Sequence, residues 1–144
     1  MRRIVLVVSG VALGLALMNP AVMAVRAQQA QDPAVLDPVM KSVGGAFGAA
    51  RKAVEAGDMT AAKTGAETMS KAFVETEAFF KSHGKADGVE WAQAAKTAAD
   101  AVAAAASADA AKAPAGELGK LCATCHAAYR ERGADGSYNY KAGA

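Results

Sequence analysis

Apolar residues recur along this chain at alternating steps of four and three, the spacing of a single stripe on a helix that faces a partner. The first stripe is Leu36, Met40, Val43, Phe47, Ala50 and Val54, and the second is Met59, Ala62, Ala66, Met69, Phe73, Thr76 and Phe80. A third runs Trp91, Ala95, Ala98, Val102 and Ala105, and a fourth Leu118, Cys122, Cys125 and Tyr129. Gly57-Asp58 reads as a helix stop followed by an N-cap. Segment 82–88 reads as a turn, with Asp87 and Glu90 at capping-box spacing. Pro114 and Gly116 are expected to break the alanine-rich tract 98–115, and the last helix to end near Gly133. No run after Gln28 alternates apolar and polar, so no strand is expected. The pattern predicts an all-α fold, an antiparallel up-down four-helix bundle with short connections.

The beginning of the chain follows a different rule. Arg2 and Arg3 precede an uncharged apolar run, Ile4–Met18, and small-residue cleavage sites follow at Ala24 and Ala27. This is the layout of a secretory signal peptide, and the run falls short of the ~20 residues that span a bilayer. The expected organisation is a leader over 1–27, a helical domain over 28–133, and a C-terminal tail over 134–144 whose role the sequence does not disclose. Cleavage after Ala27 removes Arg2, Arg3 and Arg26 from the 16 basic residues, which leaves them one short of the 14 acidic. A near-neutral, exported domain is expected, with no nucleic-acid partner and no membrane association once the leader is removed.

Composition matters at one point only. Most of the apolar residues are alanine, so the core is thin for its length and has room for something bulky. The candidate is announced by Cys122-Ala123-Thr124-Cys125-His126, the C-x-x-C-H attachment signature of c-type haem. Two thiols three residues apart on one helical face reach the two vinyl groups on one edge of a porphyrin. The adjacent imidazole then lies under the iron as its proximal ligand. A disulfide between residues three apart in mid-helix is geometrically poor. A thioredoxin-type pair needs a strand leading into a helix, and a structural zinc needs four ligands where His83 is the only further Cys or His.

Cys122 to Arg130 (CATCHAAYR), on the last of four helices, resembles the class II cytochromes c, the cytochrome c-prime and c-556 family. Met40 to Gly48 (MKSVGGAFG) is similar to the distal helix of that family. The resemblance implies one covalent haem c on Cys122 and Cys125, iron held by His126, and a distal face supplied by the first helix. At the position matching Met40, gas-binding members carry an apolar residue and electron-transfer members an axial methionine. The resemblance therefore implies Met40 as the sixth ligand, whereas the stripe alone makes Met40 core filler. Met69 and then Met59 are the next candidates. The resemblance also places Arg130 beside the proximal imidazole, where the helix dipole alone would also favour a solvated cation. One turn before Met40 the family often has an arginine near a haem propionate; here that residue is Leu36.

Gly44 and Gly48 lie one and two turns beyond Met40, with Gly45 beside them. Each interior glycine costs ~0.5–1 kcal/mol relative to alanine, which points to a flat group or a second helix approaching the backbone. Pro38 sets the start of this helix at N1 after Asp37 or kinks it, with Asp32-Pro33 as an earlier start. Tyr129 is expected to pack against the haem, Trp91 to anchor the core, and His83 to lie at the surface. The reading is a periplasmic, non-enzymatic electron-transfer cytochrome, monomeric or homodimeric, meeting other periplasmic redox proteins. The alternative is a five-coordinate, cytochrome c-prime-like protein that binds nitric oxide or carbon monoxide.

Overall fold

The computed structural model describes residues 33–134 and 136–141; the expected leader and its cleavage sites lie outside them. A single 3-10 turn, Pro33–Val35, leads into α1, Leu36–Ala56, followed by α2, Met59–Ser82, α3, Ala86–Ala104, and α4, Ala108–Tyr129. The chain is mostly helical, and each helix packs on the next. Cross-helix neighbours run in opposite order along each pair. Gly65 lies against Ala46 and Ala50, Gly88 against Phe80, Gly119 against Phe47, and Trp91 against Tyr129. Neighbouring helices are therefore antiparallel.

The stripes account for this packing. Val43, Ala50 and Val54 of α1, Ala62, Ala66, Met69, Phe73, Thr76 and Phe80 of α2, and Ala95, Ala98 and Val102 of α3 are buried. Phe80, Met69, Leu118 and Val102 are the largest residues lost entirely to solvent, each burial contributing ~1.5–3 kcal/mol. Six exposed ion pairs at i,i+3 or i,i+4 dress the outer faces. No helix among the described residues is long and apolar enough to cross a membrane.

Local chemistry sets the boundaries. Gly57 ends α1 in the left-handed conformation at φ 75°, and Asp58 caps α2 by accepting from the Ala61 N–H at 3.0 Å, both as the sequence predicts. Four expectations need correcting. Asp87 is not a cap: α3 starts at Ala86 behind Lys85, and the Asp87 carboxylate instead accepts from the Gly88 N–H and the Tyr129 hydroxyl. Pro114 and Gly116 do not break the tract. The break falls at 105–107, where Ser107 caps α4 by accepting from the Ala110 N–H at 3.2 Å, and α4 runs through Pro114. Losing one N–H at Pro114 is offset by a helix whose Ala111 and Leu118 are fully buried on either side of it. Pro38 is the third residue of α1, where its missing N–H is among those that a helix start leaves unbonded anyway.

The fourth correction concerns the last residues. α4 ends at Tyr129, four residues before the expected stop, and two short strands follow: β1, Arg130–Arg132, and β2, Tyr138–Tyr140. They pair antiparallel, Arg130 with Tyr140 and Arg132 with Tyr138. The connection closes through Gly133 N–H to Ser137 O at 2.9 Å, with Gly136 at φ 83°. Lys141 N–H bonds back to Tyr129 O at 2.8 Å, so residues assigned to a tail are tied to the end of α4.

Candidate functional site

The hairpin completes an aromatic end to the bundle. Phe79, Phe80 and Tyr129 are buried there, with Leu36, Val89, Trp91, Cys125, Ala128 and Tyr140 packed around them. Tyr129 stacks on Tyr140 with ring centroids 5.7 Å apart, and lies 4.6 Å from Phe80 and 6.0 Å from Trp91. Its hydroxyl donates to Asp87, which holds the Asp87 carboxyl below its ordinary value. Burial first, and that carboxylate second, push the Tyr129 phenol well up. His83 belongs here as well. It is half-buried rather than on the surface, its ring 4.1 Å from Phe79 and its Nδ1 2.8 Å from the Phe79 carbonyl, because the α2 end needs a partner for its last carbonyls.

Cys122 and Cys125 lie on α4 immediately beside this cluster, one turn apart, half-buried and not joined to each other. Cys122 packs against the main core and Cys125 against the aromatic end. Burial pushes the Cys122 thiol up. Burial, then the Cys122 thiol and the Asp87 charge, push Cys125 to about 11. Both are neutral thiols near pH 7. His126, next along α4, is half-buried, and its pKa is lowered by burial first and the Arg130 charge second. The neutral imidazole is therefore favoured, with one ring nitrogen free to act as a donor to a metal. Arg130 sits just past the end of α4, its backbone N–H on the His126 carbonyl and its guanidinium 4.0 Å from the Tyr138 ring centroid.

Facing α4 is α1. Phe47 meets Gly119, where an added Cβ would lie 3.5 Å from the ring. Met40 is half-buried against the core, whereas Met69 is buried in mid-α2 and Met59 sits half-buried at the start of α2. A Cβ built on Gly44, Gly45 or Gly48 meets nothing within 4 Å. Close helix packing is thus not the reason for these glycines. Between α1 and α4 lies a cleft of about 510 Å³ lined by Phe47, Arg51, Val54, Ala115, Gly116 and Gly119 among others.

The structure thus brings together Cys122, Cys125, His126, Arg130 and Tyr129 at the end of α4, while Met40 packs half-buried against the main core from the facing α1. Gly48 lies a turn further from the motif. Among the described residues no three His, Cys, Asp or Glu side chains cluster as a metal site, so His83 does not join Cys122 and Cys125 in a zinc-like group. Sequence reasoning missed Asp87 and Tyr140 as neighbours of the motif. Tyr138-Asn139-Tyr140 following Asp135-Gly136 carried a hairpin signal, alternation after a turn dipeptide. No family model matches the chain, and neither the curated proteins nor the solved structures contain a match.

Proposed function

We propose that this chain is a small periplasmic electron carrier of the class II cytochrome c type, with one haem c held through Cys122 and Cys125 and axial ligands His126 and Met40. The observation that carries the reading is C-x-x-C-H on a helix, with both thiols free, neutral and half-buried on one face. The half-buried Met40 and the uncovered glycine backbone on α1 support it, because a flat group beside α4 needs such a surface opposite.

The residues divide the work. Cys122 and Cys125, one turn apart on α4, would hold the haem through two thioethers. When bound, haem supplies an iron centre that takes up and gives back one electron. His126 is kept neutral by its partial burial and by Arg130, so its lone pair is available to the metal. Met40 would supply a thioether to the iron, which would raise the reduction potential relative to a nitrogen ligand. With His126 and Met40 both held to the iron, no position would be left for a substrate, and no enzymatic activity is proposed. The leader over 1–27 fits export to the compartment where this attachment is made.

The test is the visible spectrum of the exported protein, oxidised and reduced, with and without carbon monoxide. The reading expects sharp, split bands on reduction and no response to the gas. Met40→Leu is expected to give broad high-spin bands that shift with carbon monoxide. A wild-type protein that already binds the gas would replace the sixth-ligand assignment with the five-coordinate alternative.

A further inference from the structure

The hairpin end of the bundle also gathers cations that lie outside the six ion pairs, with the carboxylates of Asp87, Glu90 and Glu131 at the same end. Six lysines and arginines of the described residues pair with a carboxylate one helical turn away. Of the cations with no described carboxylate within 4.0 Å, Lys52 and Lys71 lie elsewhere on α1 and α2. The others, Lys81, Lys85, Arg130, Arg132 and Lys141, gather at the end where α2 turns into α3 and the hairpin folds back. The contacts that hold this end together fix their proximity: Tyr140 lies 5.4 Å from Phe79, and Lys141 bonds to Tyr129.

Beside two of these cations, Arg130 and Arg132, stands an exposed aromatic ring. Tyr138 is 51% exposed, with the Arg130 guanidinium 4.0 Å and that of Arg132 5.7 Å from its centroid. The antiparallel register puts Arg132 directly across from Tyr138, and strand alternation puts Arg130 on the same face, with Glu131 on the other. Stacking orders both arginines without using their N–H groups, which stay available for carboxylates. Tyrosine and arginine in such a patch are the residues that dominate protein interfaces, and cations around them steer an oppositely charged partner.

We propose that this hairpin end, centred on Tyr138 between Arg130 and Arg132, is the docking face for a protein electron donor or acceptor whose own surface is acidic around its redox centre. The proposal rests on the electron-carrier reading and adds to it the partner's charge and the place of contact. Arg130 adjoins the end of α4 four residues from His126, so a partner seated here approaches the haem-bearing helix rather than the alanine-rich body. One electron passes from the reduced partner to the carrier, or back, and no bond is made.

The experiment measures the second-order rate at which the haem-loaded protein is reduced by a plant-type [2Fe–2S] ferredoxin, a small acidic one-electron donor, against ionic strength. The rate is expected to fall steeply with salt. The Arg130→Gln/Arg132→Gln protein is expected to be about tenfold slower at low ionic strength and to converge on wild type at ~1 M salt. Arg130→Lys/Arg132→Lys retains the charge and most of the rate. Lys52→Gln/Lys71→Gln removes the same charge elsewhere and stays near wild type. If the Lys52/Lys71 protein is slowed as much as the arginine variant, or neither is slowed, the docking face is wrong. Unchanged ferredoxin rates together with lost binding of the arginine variant to phosphatidylglycerol vesicles assign the face to lipid and overturn the proposal. Reduced spectra of each preparation separate the two levels: absent haem bands sink the electron-carrier reading itself, whereas normal bands with salt-insensitive rates sink only the docking face.

Discussion

The seam between α2 and α3 and the seam between α1 and α4 use glycine in opposite ways. At the first, a Cβ on Gly88 would lie 2.4 Å from the Phe80 ring, so the glycine exists to let an aromatic side chain reach the backbone. At the second, Gly44, Gly45, Gly48 and Gly116 have no neighbour within 4 Å of where a Cβ would stand. One seam is closed by a fully buried phenylalanine and its aromatic neighbours; the other carries a cleft of about 510 Å³. Packing density, rather than glycine content, distinguishes a seam that holds the fold from one that leaves glycine backbone uncovered.

Unequal truncations sharpen that contrast most. Phe80→Ala at the closed seam is expected to cost ~3–5 kcal/mol, read as thermal or denaturant unfolding, because the ring is enclosed on all sides. Phe47→Ala at the open seam removes a half-buried ring beside the cleft and should cost clearly less. Equal losses at the two positions would erase the distinction.

Next in size is a pair of glycine substitutions with opposite signs. Gly88→Ala forces the Phe80 ring to move and is expected to destabilise by ~1–3 kcal/mol. Gly48→Ala in the haem-free chain meets open space and is expected to stabilise α1 by ~0.5–1 kcal/mol, seen as a higher Tm. A destabilising Gly48→Ala would mean that protein atoms, not an open face, require that glycine.

The smallest effect lies in the pH dependence of the aromatic end. The Tyr129 hydroxyl holds the Asp87 carboxyl below its ordinary value of 3.8, so the folded state favours the charged form. Its contribution is therefore present above 3.8 and lost as pH falls through the lower, folded-state value. Asp87→Asn should lower the urea midpoint near neutrality, and the gap to wild type should close in acid. A gap that stays constant with pH would show that the carboxylate charge is not what matters at this contact.

The two seams were not equally legible from residues alone. Stripe positions such as Val43, Ala66, Met69 and Val102 were readable because burial repeats at helical spacing, and Gly57-Asp58 because a cap is a local event. Asp87 was misread as a cap because its partner hydroxyl lies 42 residues away, and no local rule reports such a partner. Pro114 was misread as a stop because propensity acts on one residue, whereas Ala111 and Leu118 hold α4 from both sides. The strands were too short, at three residues each, to show an alternating run. For the site, the spacing of Cys122, Cys125 and His126 was explicit in the chain. That α1 faces α4, with Phe47 against Gly119, is a property of the packed pair and not of either segment.

The central claim, a covalent haem on α4, is tested most directly by unfolding the exported protein in denaturant, extracting it with acidified organic solvent, and recording the absorption of the polypeptide fraction. The account predicts that the haem absorption stays with the chain, that neither Cys122 nor Cys125 reacts as a free thiol, and that Cys122→Ser/Cys125→Ser abolishes the colour. A colourless exported chain with two titratable thiols would contradict it.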